Sequence, residues 1–217
     1  MTSTAPQEGR RERKKRETRL RISDIATGLF LDRGFDAVTI AEIAEAADVS
    51  VNTVYNYFPT KEDLFFDRAE EVIDRPSRFV RERLPGQSAA DAVLGRLRAE
   101  IEDRSVYAGM MEGYDAFMRC IHGAPSLLAR MMLMQYRTAE RLTETLAEET
   151  GDDPEDPMPQ LVAGELVHIS NQLFRGATRA VAAGMSPEQA AVAALGKLDT
   201  YEGLVSERFL KYAVRPG

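Results

Sequence analysis

The chain has 217 residues, 44% of them apolar, with a formal net charge of −7, which is material for one compact unit or for a small head on a larger body. No stretch approaches the roughly 18 uninterrupted apolar residues of a membrane span, and the first twenty residues lack the apolar middle of a signal peptide, so the expected compartment is the cytoplasm, with no membrane partner. Cys120 is the only cysteine and His122 and His168 the only histidines. That excludes a disulfide framework or a thiolate cluster within one chain and leaves little for a hydrolase triad. No spacing singles out a catalytic carboxylate pair, so no cofactor, metal or catalytic residue is expected and the chain reads as a non-enzyme.

The charge is segregated. Residues 1–21 carry Arg10, Arg11, Arg13, Lys14, Lys15, Arg16, Arg19 and Arg21 against Glu8, Glu12 and Glu17, a net +5, which leaves the rest of the chain at −12. Such a pattern fits a protein that touches a polyanion with one end and keeps it away elsewhere. A solvated tail gives the same local composition.

Residues 1–16 read as a disordered basic arm, polar and rich in small residues. A first helix is expected over 18–33, where Ile22, Ile25, Ala26, Leu29 and Phe30 form one buried stripe and Gly34 supplies the stop. Thr39 and Glu42 form a capping box ahead of a short helix ending near Ala47. A tight turn through Asp48 and Val49 leads to Ser50, the cap of a third helix of about seven residues that ends at Phe58-Pro59. Thr60 caps a fourth, expected to run to a stop at Pro76. Longer helices are expected over roughly 88–104, 107–122, 126–149, 160–183 and 187–212, about nine in all, with no sheet. Ser186-Pro187-Glu188-Gln189 is a clean start signal for the last.

The pair of short helices over 39–57, braced by an amphipathic first helix, has the layout that places a recognition helix in the DNA major groove. Val51, Asn52, Thr53, Tyr55, Asn56 and Tyr57 are expected on its outer side, with Val49, Val54 and Phe58 as anchors to the core. Short polar and aromatic side chains can meet base edges and phosphates, and valine methyls can meet thymine methyls.

The run from Thr39 to Leu64, Thr-Ile-Ala-Glu-Ile-Ala, then Ala-Asp-Val-Ser-Val-Asn-Thr-Val-Tyr-Asn-Tyr-Phe-Pro-Thr-Lys-Glu-Asp-Leu, resembles the signature of the tetracycline-repressor (TetR) family. That signature has Thr, Ile-Ala, Ala-Gly-Val-Ser, Gly-Thr-Leu-Tyr, Tyr-Phe and Lys-Glu-x-Leu, and the resemblance covers residues 18–70. Asp48 stands where the family usually has the turn glycine, and Asp tolerates a left-handed backbone. Asn52 stands where a glycine often opens the recognition helix, and its amide can pair with adenine or a phosphate, which implies a different operator preference.

The resemblance implies an all-α fold: a three-helix helix-turn-helix DNA-binding head over 17–75 and a helical ligand-binding and dimerisation body over 76–217. It implies a regulator, by default a repressor released from a palindromic DNA operator by a small-molecule effector. The alternative is a dimeric DNA-binding regulator with no physiological effector. Position by position, the resemblance implies DNA contacts at Thr39, Ser50, Val51, Asn52, Thr53, Tyr55, Asn56, Tyr57 and Lys61, although Tyr55 and Tyr57 can instead pack the head. The basic arm can enter a neighbouring minor groove or raise general affinity through counterion release.

For the body, the resemblance implies a homodimer through 160–183 and 187–212, with Ala177, Ala180, Val181, Ala190, Ala191, Ala194, Leu195 and Leu198 permitting close approach, though intramolecular core also explains them. The segment 107–136 is rich in Tyr107, Met110, Met111, Tyr114, Phe117, Met118, Met131, Met132, Met134 and Tyr136, either core or the walls of an effector pocket. His168 and Asn171, one turn apart, can face the same cavity.

Overall fold

A computed structural model describes residues 9–111 and 113–217. Its described residues form eleven α-helices and one 3-10 turn, without strands. The chain divides into two compact units, one running to Arg68 and including Arg119–Leu128, the other formed by Ala69–Met118 and Ala129–Gly217.

The first unit opens with α1 (Arg10–Arg33). The basic segment expected to be disordered is therefore helical from Arg10 onward, while residues 1–8 of the arm lie outside the described residues. Arg, Lys and Glu are good helix formers, and an Arg13–Glu17 pair one turn apart adds to them. Once nucleated by the buried half of α1, the helix extends outward through these residues at little cost.

Helices α2 (Ile40–Ala46), α3 (Val51–Tyr57) and α4 (Lys61–Phe65) follow. Each starts on a hydroxyl: Thr39 and Thr60 form complete capping boxes with Glu42 and Asp63, and Ser50 accepts from the Thr53 amide. The α2–α3 turn passes through Asp48 at φ 50°, the left-handed conformation expected of it. Phe30, Phe35 and Phe65 pack with ring centroids 5.0 to 6.2 Å apart, and Ile22, Ile43, Val54, Phe58 and Leu64 are almost wholly buried with them.

The expected fourth helix is two. After α4, α5 spans Ala69–Glu82 with Pro76 inside it. Proline removes only the bond to the Val72 carbonyl, and Val72 is solvent-exposed, while Ile73, Ser77 and Val80 anchor the helix on both sides of the proline.

The second unit continues with α6 (Ala89–Glu102), the 3-10 turn Val106–Ala108, α7 (Tyr114–Gly123), α8 (Pro125–Thr150), α9 (Pro157–Ala182), α10 (Pro187–Leu204) and α11 (Glu207–Leu210). Arg119–Leu128, at the end of α7 and the start of α8, belongs to the first unit. The helix expected from 107 begins only at Tyr114, because Gly109 and Gly113 take positive φ. At Gly109 a Cβ would lie 2.7 Å from Thr178 Oγ1 and 3.0 Å from the Phe174 ring, so the chain turns where only glycine fits. The expected last helix breaks at Val205, and Ser206 caps α11. The core joins Val93, Leu94 and Ile101 of α6, Leu142 and Leu146 of α8, Val162, Leu166 and Leu173 of α9, and Ala190, Ala194 and Leu198 of α10. Buried Arg83 holds the C-terminal tail, donating to the Ala213 carbonyl at 3.0 Å and pairing with Glu149 at 2.7 Å.

Candidate nucleic-acid interface

Seven residues make two turns of helix, and their sequence decides which side faces out. Val54 is buried completely and Phe58 nearly so, whereas Val51, Asn52, Tyr55 and Asn56 are exposed, Tyr55 by half its surface. At ~100° per residue these four share an arc of about 140° on α3. The alternative of Tyr55 as a packing residue does not hold in this unit. Thr53 and Tyr57 are half-buried at the edges of the face. Ser50 Oγ bonds Thr53 Oγ1 at 2.8 Å, and both remain at the surface.

Two sequence-expected contacts have other partners. Thr39 is exposed, but its hydroxyl donates to Glu42 Oε2 at 2.7 Å. Arg33 closes the group, bonding Glu42 Oε1 at 2.6 Å. The Thr39 amide, the Arg33 guanidinium and the Thr39 hydroxyl together hold the Glu42 carboxyl down at about 2. Lys61 turns inward: its Nζ donates to the Phe35 carbonyl at 2.5 Å and lies 4.4 Å from the Phe35 ring centroid and 5.5 Å from that of Phe30. Burial lowers its pKa. The amine clasps the loop after α1.

Arg19, counted by sequence among the basic residues of 1–21, is another structural cation. It donates to the Tyr57 carbonyl at 2.8 Å and the Asp67 carbonyl at 3.2 Å and stacks 4.3 Å from the Phe58 centroid. It satisfies the C-terminal end of α3. Its spacing was the missed signal, since Arg19, Ser23, Ala26 and Phe30 continue one 4-3-4 stripe, the last three of them buried. By contrast Arg10, Arg11, Arg13, Lys14, Lys15 and Arg16 are all exposed on α1. The α3 helix itself carries no charged residue. The exposed face of α3 is thus uncharged, and the exposed positive charge lies separately on α1.

In the second unit the expected effector residues divide. Tyr107 donates to Glu71 at 2.7 Å beneath the Arg75 guanidinium, 3.4 Å from its ring centroid. Met110 is buried, and Tyr114 packs against Phe117 and Phe174 at 5.2 and 5.3 Å. Burial pushes the Tyr114 phenol up to about 12. Met118, Met134 and Asn171 are half-buried. Met111, Met132 and Tyr136 are exposed, and so is His168, whose ring nitrogen meets Gln172 at 3.4 Å. His168 lies on the α9 face opposite the core, because the core takes Val162, Leu166, Leu173 and Ala177. Ala177, Ala190, Ala191, Ala194 and Leu198, expected to permit approach of a partner, are spent on packing α9 and α10 within the chain.

Among the described residues no group of His, Cys, Asp and Glu is placed to hold a metal, and no helix is long and apolar enough to cross a membrane.

Comparison with known proteins agrees with this arrangement. Residues 22–67 match the model of bacterial regulatory proteins of the tetR family, and residues 105–193 match the MftR C-terminal domain. The HTH-type transcriptional regulator TcmR of Streptomyces glaucescens is 30% identical over 159 residues, covering 71% of this chain and 70% of that protein. The HTH-type transcriptional repressor KstR of Mycolicibacterium smegmatis is 38% identical over 68 residues, 28% of this chain and 33% of its own. The crystal structure of NalD, the secondary repressor of the MexAB-OprM multidrug efflux pump in Pseudomonas aeruginosa, shares the fold at 18% identity and a TM-score of 0.59, over 88% of this chain and 99% of its own. The chain belongs to the tetR family of bacterial regulatory proteins and is a DNA-binding transcriptional regulator with a helix-turn-helix head.

Proposed function

We propose that this regulator is a repressor whose dimer grips a palindromic operator and releases it when a small molecule binds the body. The observation that carries the reading is the α3 surface: Val51, Asn52, Tyr55 and Asn56 face outward together on a helix with no charge of its own. Such a face discriminates bases but attracts phosphate weakly, and the six exposed cations of Arg10 to Arg16 supply the attraction. Two turns of helix read few bases, so specificity calls for two heads on half-sites about 34 Å apart. Regulators of the family typically dimerise, and in this chain the dimer forms through α9 and α10.

The effector enters among Tyr107, Met110, Tyr114, Met118 and Met134, where flexible thioethers and aromatic walls accommodate an apolar molecule. Its binding shifts the population of operator-competent dimers only by its differential affinity for the two states. The route to the head is the chain itself, which passes between the units at 68–69, 118–119 and 128–129. Occupancy of the operator silences the genes near it, and release by the effector relieves that repression, in the cytoplasm.

Selection of bound sequences from a random DNA pool tests the reading. A palindromic consensus is expected, weakened for Tyr55→Ala. Enrichment no greater than salt-sensitive background overturns it.

A further inference from the structure

The outward side of α9 carries a pattern that the hydrophobic core of the second unit does not use. Opposite its buried stripe lie Leu161, Glu165, His168, Gln172, Arg175 and Arg179, spaced 4-3-4-3-4, all exposed except the half-buried Gln172. At 3.6 residues per turn they form one narrow ridge. Leu161 is 67% exposed, and on α10 Val192 and Leu204 are 72% and 77% exposed. Gly196 and Gly203 also lie outward on α10, with nothing within 4 Å of where a Cβ would stand. Glycine weakens a helix interior, and among the described residues none occupies the space it leaves.

Between α9 and α10 runs an open groove lined by Gln172, Arg175, Gly176, Arg179, Lys197, Thr200 and Tyr201. Three of these are cations and none is a carboxylate. Lys197 Nζ lies 3.2 Å from the place of a Gly176 Cβ, so the missing side chain lets the amine lie across α9.

We propose that this ridge joins a second copy of the chain antiparallel to itself, in a register fixed by Glu165 of each protomer against Arg175 of the partner subunit at the mouth of the basic groove. The inference rests on the α9–α10 dimer proposed above and adds what sets its register. A two-fold interface meets itself with the sequence reversed. Centred at residue 170, the ridge sets Glu165 opposite Arg175, His168 opposite Gln172 and Leu161 opposite the arginine stem of Arg179. Centred on Glu165 or on Arg175, it sets like charges face to face. The chosen register places an ion pair about 7.5 Å on either side of the axis, from a rise of ~1.5 Å per residue. It also gives the groove the carboxylate it lacks. Charge arrangements of this kind select register and partner more than they add raw affinity.

Sedimentation equilibrium of the full chain tests this by charge exchange. Glu165→Arg and Arg175→Glu are each expected to raise the dimer dissociation constant by about tenfold or more, and the double exchange to restore it to within roughly threefold. Far-UV circular dichroism melts show that each variant is folded. Single exchanges without effect, or a double exchange no better than the singles, overturn the register. Val192→Arg locates the failure: if it alone breaks the dimer, the α9–α10 face stands and the register falls; if it and the exchanges all leave the dimer intact, the face falls too.

Discussion

The short helices of the head and the two longest helices of the body are held by different means. In the head, α2, α3 and α4 are five to seven residues long, and each begins on a hydroxyl satisfied within its own first turn. In the body, α8 and α9 run 26 residues each without a side-chain cap of that kind, and their place is set by stripes such as Val162, Leu166 and Leu173 buried among distant segments. A helix of seven residues cannot persist on propensity alone, so in the head the caps and the aromatic cluster must be written locally. A helix of seven turns tolerates weak ends because burial along its length decides its position.

The largest test of this contrast removes packing from one side only. Phe30→Ala is expected to destabilise the head by about 3–5 kcal/mol, since it empties the centre of the Phe30–Phe35–Phe65 cluster. DNA binding should be lost while sedimentation still reports a dimer; a monomer would show that the two regions do not stand on separate supports.

This division also explains what was legible in the sequence. The boundaries of α2 and α3 follow from Thr39, Glu42, Ser50 and Pro59, because capping is an interaction over three residues. The buried anchors Val54 and Phe58 follow from helical period. The inward turn of Lys61 was not legible, since its partner is the carbonyl of Phe35, 26 residues away. Nor was the break at Gly109, which depends on Phe174 and Thr178 of α9. In α5, Pro76 reads locally as a stop, yet Ile73, Ser77 and Val80 hold the helix through it. Arg10 to Arg16 read differently for the opposite reason, as their composition suggested disorder where the buried half of α1 nucleates a helix next to them.

Lys61 sharpens the comparison next. Lys61→Met is expected to cost about 1–2 kcal/mol of head stability, from the lost bond to Phe35 and the lost cation–ring contacts. The salt dependence of DNA binding should not change. A slope reduced by about one unit would restore Lys61 as a phosphate contact.

A smaller effect compares caps across the two regions. Thr60→Ala and Ser186→Ala each remove one hydroxyl from a complete capping box, and each is expected to cost ~1 kcal/mol by chemical denaturation. The head variant alone should weaken DNA binding; equal weakening by both would erase the distinction.

The smallest test is a pH titration of the Glu42 group. Its carboxyl is lowered from 4.5 to about 2 in the folded state, so its contribution is present above the ordinary value and is lost as pH falls toward the folded one. Glu42→Gln is expected to flatten the fall in stability across that interval, and an unchanged acid limb would show that the Thr39–Arg33 contacts do not hold the charge.

The proposed division of labour has α3 read bases with its neutral outer face while charge elsewhere supplies affinity. It is tested most directly by titrating the protein and Asn52→Ala against the selected operator and a scrambled duplex over a series of salt concentrations. The expected result is a loss of about 1–3 kcal/mol of discrimination between the two duplexes with the salt slope unchanged. Equal weakening on both duplexes, with a shallower slope, would contradict it and make Asn52 a phosphate contact.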